Sequence, residues 1–211
     1  MACHEHEGPH DRPRHVFDPR NAERLDAPAR RAAFPVEAYL QALAPWPGLR
    51  LADLGCGTGY FTLPVLDALR GQGTFYAVDI STEMLDALDA RLRVHPYSKR
   101  VVMVRSEPCS VPLPDGCADA VVMGALLHEV EDPQAFLREA RRLLAELGRI
   151  LVADWDRRPG QTGQSEIGPP YEHRIPREEA EAALRNAGFV SIRSHEGFQN
   201  AYLLSAMKER A

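Results

Sequence analysis

The stretch LADLGCGTGYF, Leu51–Phe61, decides how the rest of the chain is read. An apolar run ends in a carboxylate, Asp53, and glycines follow at positions 55, 57 and 59. Glycine carries no Cβ and adopts positive φ freely, so the backbone in such a turn can approach a ligand closely before a helix begins. The stretch reads as a first strand, a ligand-binding turn and the start of a helix.

Working outward, strand and helix patterns alternate. LRLADL (49–54) is a strand, YFTLPVLDALR (60–70) a helix, TFYAVDI (74–80) a strand, and TEMLDALDARLR (82–93) a helix that Ser81 can cap. RVVMVR (100–105) and ADAVVMG (118–124) are two further strands, PQAFLREARRLLAEL (133–147) is a long amphipathic helix, and GRILVADW (148–155) is a fifth strand. Upstream, FPVEAYLQALAPWPG (34–48) is a short helix closed by Pro45 and Pro47. Downstream, REEAEAALRNAGF (177–189) is a helix ended by Gly188, and two closing strands, VSIRSHEGF and NAYLLSAMK, are too close in sequence to pair other than antiparallel. Continuous apolar strands alternating with helices imply an α/β fold. We expect a Rossmann-like doubly wound sheet of seven mainly parallel strands with an antiparallel closing strand and helices on both faces.

The 211 residues suit one such domain over 34–211, preceded by an N-terminal extension over 1–33, partly flexible and able to cap the site. The segment 156–176 is rich in Gly and Pro and too long for a simple connection, so it is expected to lie over the site. Net charge is −5 with scattered basic residues, which excludes an extended nucleic-acid surface. There is no signal-peptide core and no bilayer-length apolar run, so a cytoplasmic protein without membrane contact is expected. Cys3, Cys56, Cys109 and Cys117 lack CxxC spacing, and Cys3, His4, His6 and His10 lie in a terminal tail without paired, anchored ligands, so no metal is expected.

Asp79 ends the second strand twenty residues beyond Gly59, where a carboxylate can accept both hydroxyl protons of a ribose. The turn reads GCGTG, whereas a dinucleotide fingerprint is GxGxxG, and Asp53 would be misplaced beside a pyrophosphate. A cofactor carrying an ammonium and a sulfonium suits it. The turn favours S-adenosylmethionine over a nicotinamide dinucleotide.

With DLGCGTG, AVDIS, SEPCSVPLPDGCAD and LLHEVEDP in order, the chain resembles the class I S-adenosylmethionine-dependent methyltransferases of the small single-domain type. That resemblance implies that Asp53, Gly55, Cys56, Gly57 and Gly59 hold the amino-acid part of the cofactor and that Asp79 holds the ribose. It places Glu107 near the adenine amine, Ile80 and Met84 against the adenine ring, and Gly124 in the cofactor set. The chain departs from the family at Pro108 and in AELGR, where the family has KPGGR. HVFDPRNAERLDAPARR, ADW and GPPYEHRIP are similar to an uncharacterised prokaryotic subgroup, a likeness that carries no substrate.

A small-molecule acceptor is expected, with His128 and Glu129 as candidate catalytic residues at the carboxyl edge of the sheet. Trp155 is a candidate substrate wall, and Tyr171, Glu172, His173 and Arg174 form a polar cluster ranked first for substrate recognition, with His15 joining from the cap. The alternatives are a cofactor-binding regulatory module of the same fold without turnover, or a metalloid (arsenite) methyltransferase using Cys56, Cys109 and Cys117 as soft ligands. Length and charge suit a monomer or a homodimer.

Overall fold

Strand β1 (Leu49–Leu54) is the third strand of a seven-stranded sheet whose order is β3-β2-β1-β4-β5-β7-β6. The computed structural model describes residues 17–210, so His15 and the His-rich start lie outside the described residues. The other strands are β2 (Gly73–Asp79), β3 (Val101–Arg105), β4 (Ala118–Gly124), β5 (Leu144–Trp155), β6 (Phe189–His195) and β7 (Ala201–Lys208). The pairs among β1 to β5 are parallel, and β7 runs antiparallel to both β5 and β6. The expected fold class is the one observed.

The helices are α1 (Pro28–Ala33), α2 (Val36–Leu43), α3 (Thr62–Ala68), α4 (Thr82–Leu92), α5 (Pro133–Leu143) and α6 (Arg177–Asn186). Alternate strand residues feed two cores, because successive side chains point to opposite faces. Leu51, Phe75, Val122 and Leu151 pack with Tyr39, Leu66 and Leu88 of α2, α3 and α4. Leu54, Val78, Met123 and Val152 pack with Phe136, Leu137 and Leu184 of α5 and α6. Ser81 caps α4 by accepting the Met84 N–H, and Asp132 caps α5 by accepting the Ala135 N–H. The connection from β3 to β4 carries no α-helix, and the edge strand β3 is accordingly half-exposed at Val102 and Met103.

After β1 the chain steps outward through β2 to β3, then returns to place β4 on the other side of β1. This reversal opens a crevice beyond the carboxyl ends of β1 and β4, the place where ligands bind in open α/β sheets.

One boundary differs from the sequence reading. The helix expected to run to Leu147 stops at Leu143, and LAEL joins β5. Between Ala118 and Ala120 the β4–β5 register jumps from Leu144 to Arg149, a bulge that absorbs the extra residues. Leu147 is left-handed there at φ 61, and a Cβ on Gly148 would lie 2.9 Å from the Ala145 carbonyl oxygen. The composition of LLAEL is helical, but the bulge lets the sheet claim it. Because Leu147 is 52% exposed, its side chain contributes little burial against the cost of its backbone conformation. Leu147→Gly is therefore expected to raise stability by about 1 kcal/mol, read as a higher urea midpoint at unchanged slope.

Candidate active site at the switch point

A cavity of about 750 Å³ opens at the crevice. Its floor is the glycine turn. Gly55, Gly57 and Gly59 all have positive φ, and a Cβ on Gly55 would lie 2.7 Å from Leu126, one on Gly59 2.6 Å from Leu88. Gly124 ends β4 against the Phe61 ring, 2.1 Å from where its Cβ would stand, and Ala125 follows in a left-handed conformation. The floor tolerates no side chains at these glycines.

Two carboxylates face this floor. Asp79 accepts the Gly57 N–H at 2.9 Å and the Ser81 N–H at 2.9 Å, which leaves lone pairs on both oxygens. Burial raises its pKa, opposed by those N–H donors. Asp53 is 2% exposed and accepts the Thr62 hydroxyl at 2.5 Å. Burial pushes the Asp53 carboxyl up to about 7, and the Thr62 bond only partly offsets it.

At the carboxyl ends of β4 and β5 the walls turn chemical. Asp154 is fully buried and accepts three hydrogen bonds: His128 N–H at 3.0 Å, Trp155 N–H at 2.7 Å and His128 Nδ1 at 2.6 Å. This fixes the imidazole with its proton on Nδ1 and leaves Nε2 as the ring's basic atom, 3.6 Å from Glu129 Oε1. Burial alone would lower the His128 pKa, but the Asp154 charge and hydrogen bond overcome it and the pKa is raised. Burial raises that of Glu129, with the His128 charge opposing.

The roof comes from the N-terminal segment. A 3-10 helix, Pro19–Asp26, and α1 bring Leu25, Ala27 and Arg30 to the cavity, and Phe17 donates its N–H to Glu129 Oε2 at 3.1 Å. Arg91 of α4 fastens this roof to the floor by donating to Asp26 and to the Thr58 carbonyl at 3.1 and 3.0 Å.

Of the residues singled out from sequence, Asp53, Gly55, Cys56, Gly57, Asp79, Ile80, Met84, Gly124, His128, Glu129 and Trp155 all line the cavity. Gly59 supports the turn from behind, against Leu88 and Leu63. Glu107 departs from expectation: it is exposed and bridged to Ser110, and its neighbours Ser106 and Pro108 line the cavity instead.

Tyr171, Glu172, His173 and Arg174 also lie off the cavity. Glu172 accepts the Gly163 N–H. Arg174 is buried and donates to the carbonyls of Pro169, Ile167 and Asp156 and to the Ser165 hydroxyl, with its guanidinium over the Trp155 and Tyr171 rings. It pins the loop so that Glu166, Ile167, Gly168 and Pro169 form a wall beside Trp155. The cluster shapes the wall from behind. Cys56 lines the cavity while Cys109 and Cys117 do not, so among the described residues the three thiols do not converge as a soft-ligand set.

A methyltransferase-domain family matches residues 52–152. A SAM-dependent methyltransferase of Aquifex aeolicus superposes with a TM-score of 0.82 at 27% identity, over 92% of this chain and 100% of that one. Residues 52–152 thus form a methyltransferase domain, and the chain is similar to S-adenosylmethionine-dependent methyltransferases. Among curated relatives, a demethylmenaquinone methyltransferase of Symbiobacterium thermophilum is 31% identical over 108 residues, 51% of this chain and 43% of that protein. A ubiquinone/menaquinone biosynthesis C-methyltransferase of Vibrio parahaemolyticus is 32% identical over 111 residues, 53% of this chain and 43% of that protein. The chain thus spans less than half the length of either relative. Among the described residues no helix is long and apolar enough to cross a membrane.

The residues present fit the cofactor of this family. Asp79 has lone pairs for two ribose hydroxyls, and Asp53 is a buried carboxyl beside the glycine turn whose charged form needs a cation. Ile80 and Met84 present apolar surface for a purine beside Ser106.

The raised Asp53 pKa predicts a pH dependence. The folded state holds this proton more tightly than the unfolded chain, whose Asp titrates near 3.9. Stability is therefore fully present below about pH 4 and is lost as pH rises toward about 7, on the order of 2–4 kcal/mol through this group. Asp53→Asn should remove that component. Urea denaturation of the cofactor-free protein at pH 5 and pH 8 should show a smaller drop in the variant than in the native chain.

Proposed function

We propose that this methyltransferase transfers a methyl group to a small-molecule acceptor whose nucleophile must first lose a proton, with His128 as the base. The Asp154–His128 pair carries the reading, since its His128 lines the same cavity as the Asp53 and Asp79 carboxylates. When bound, the cofactor supplies an electrophilic methyl group on a sulfonium. The chain's residues supply the rest.

Asp154, held by two backbone N–H groups, orients the imidazole and stabilises the imidazolium once His128 Nε2 has accepted the acceptor's proton. Glu129, beside Nε2, adds negative charge that favours the protonated ring. Trp155, Ile167 and Phe17 give apolar walls that exclude water and align a flat acceptor for in-line attack. An acidic hydroxyl or an activated C–H next to one fits this arrangement. The curated relatives are named as methyltransferases of quinone biosynthesis, one of them as a C-methyltransferase, which agrees with such an acceptor.

Screening phenols and hydroxylated aromatic rings with S-adenosylmethionine, with S-adenosylhomocysteine release as the readout, tests the proposal. With an accepted substrate, His128→Ala should lower kcat by roughly 10²- to 10⁴-fold. Because neutral His128 is the working form and its pKa is raised, kcat should climb with pH through an inflection above 6.5. Asp154→Asn should move that inflection to lower pH. A rate that is independent of pH and insensitive to His128→Ala would rule out the base role.

A further inference from the structure

The sheet ends in β3 on one side and β6 on the other, and the two edges are built differently. An exposed edge presents a row of unpaired backbone N–H and C=O groups, which proteins blunt with bulges and charged side chains. β6 has both. Its register with β7 jumps between Val190 and Arg193, Ser191 is left-handed there at φ 54, and Arg193 and His195 stand in the strand. β3 has neither a bulge nor a charge in its interior. Its residues VVMVR match β2 without a shift from Phe75↔Val101 to Asp79↔Arg105, and among the described residues no strand pairs with its outer edge.

Apolar surface follows that edge on both faces of the sheet. Val102 is 47% and Met103 39% exposed, and as successive residues of a strand they point to opposite faces. Val104, on the same face as Val102, and Tyr76 of β2 are only half-buried, because residues 106–117 cross there without an α-helix. Val94, in the turn between α4 and β3, is 87% exposed. A partner that supplies a strand with apolar residues on both faces would satisfy the backbone groups and cover these side chains together. β3 itself is such a strand.

We propose that β3 is a dimer interface of this chain, pairing antiparallel with β3 of a second copy about a two-fold axis at Met103, so that one sheet runs through both copies. Geometry and charge together set the register. Successive residues of a strand direct their N–H and C=O groups to opposite edges, so a strand that pairs with its own copy matches residues an even number apart, and the axis falls on a residue. Lys99 and Glu107 are both exposed in the turns that flank the strand. An axis at Val102 sets Lys99 against Arg105 of the second copy, two like charges. An axis at Val104 sets Lys99 against Cys109 and leaves Val101 against Glu107. An axis at Met103 sets Lys99 against Glu107, twice by symmetry, so of the three it alone makes the flanking charges complementary.

Sedimentation velocity on the full chain over a concentration series tests this, and because it involves neither cofactor nor acceptor it stands apart from the base assignment at His128. The native mass should move from one chain, 23.5 kDa, toward two as concentration rises. Met103→Lys, which brings two ammonium groups together at the axis, should stay at one chain, with an unchanged circular dichroism spectrum showing that the variant is folded. Lys99→Glu and Glu107→Lys should each weaken the dimer by about tenfold, since two like-charge pairs replace two opposite ones, and the double variant should recover the native affinity. A native protein that keeps the mass of one chain at every concentration would overturn the proposal. So would a dimer that survives Met103→Lys, which would put the interface elsewhere, or one that ignores the charge variants, which would exclude the axis at Met103.

Discussion

The Gly57 N–H donated to Asp79 is the tie on which the site depends. It fastens the turn after β1 to the end of β2, and a second tie, Cys56 N–H to the Val78 carbonyl, runs beside it. Together they hold the glycine turn flat against the sheet edge and aim Asp79 into the crevice. Without Asp79 the Gly57 N–H would be an orphaned donor, and the floor would lose its shape as well as its acid. The sheet order makes this possible, because only at the reversal between β1 and β4 does the crevice stay clear of crossing connections.

Around that tie the site is built in charge-ordered sectors. Asp79 and Asp53 lie beside the glycine turn, Arg30 comes from the roof, and His128, paired with Asp154, stands beside Glu129. Asp53, Asp79, His128 and Asp154 are all buried, and ionisable groups gathered in the interior around a cavity are a usual mark of a functional site. The roof adds a second layer. It is anchored to the floor through Arg91 and to the reacting end through the Phe17 N–H on Glu129, so the segment that covers the cavity also touches its chemistry.

Much of this was legible in the sequence, for physical reasons. Strands buried on both faces read as apolar runs, and a glycine turn followed by an acid at the end of the next strand reads as a nucleoside site. What escaped was whatever depends on distant partners. Arg30 looks like one basic residue in PARRAA, and only the approach of Tyr60 shows where it sits. Asp154 lies in ADW, which reads as the end of a strand; its role appears when the loop after β4 brings His128 beside it. The polar density of YEHR gave no direction, and Arg174 turned inward to bind loop carbonyls. Glu107 stays exposed in a turn bridged to Ser110, while its neighbours Ser106 and Pro108 line the cavity, a local geometry that the acidic residue type does not reveal.

The central claim is that the tie between the glycine turn and Asp79 creates the cofactor site. Calorimetric titration of S-adenosylhomocysteine into the native protein and into Asp79→Ala tests it most directly. The account predicts saturable binding at one ligand per chain in the native protein and at least about a tenfold weaker Kd in the variant, for the loss of charge-assisted bonds and of the tie together. Equal binding by both proteins, or none by the native protein, would contradict it.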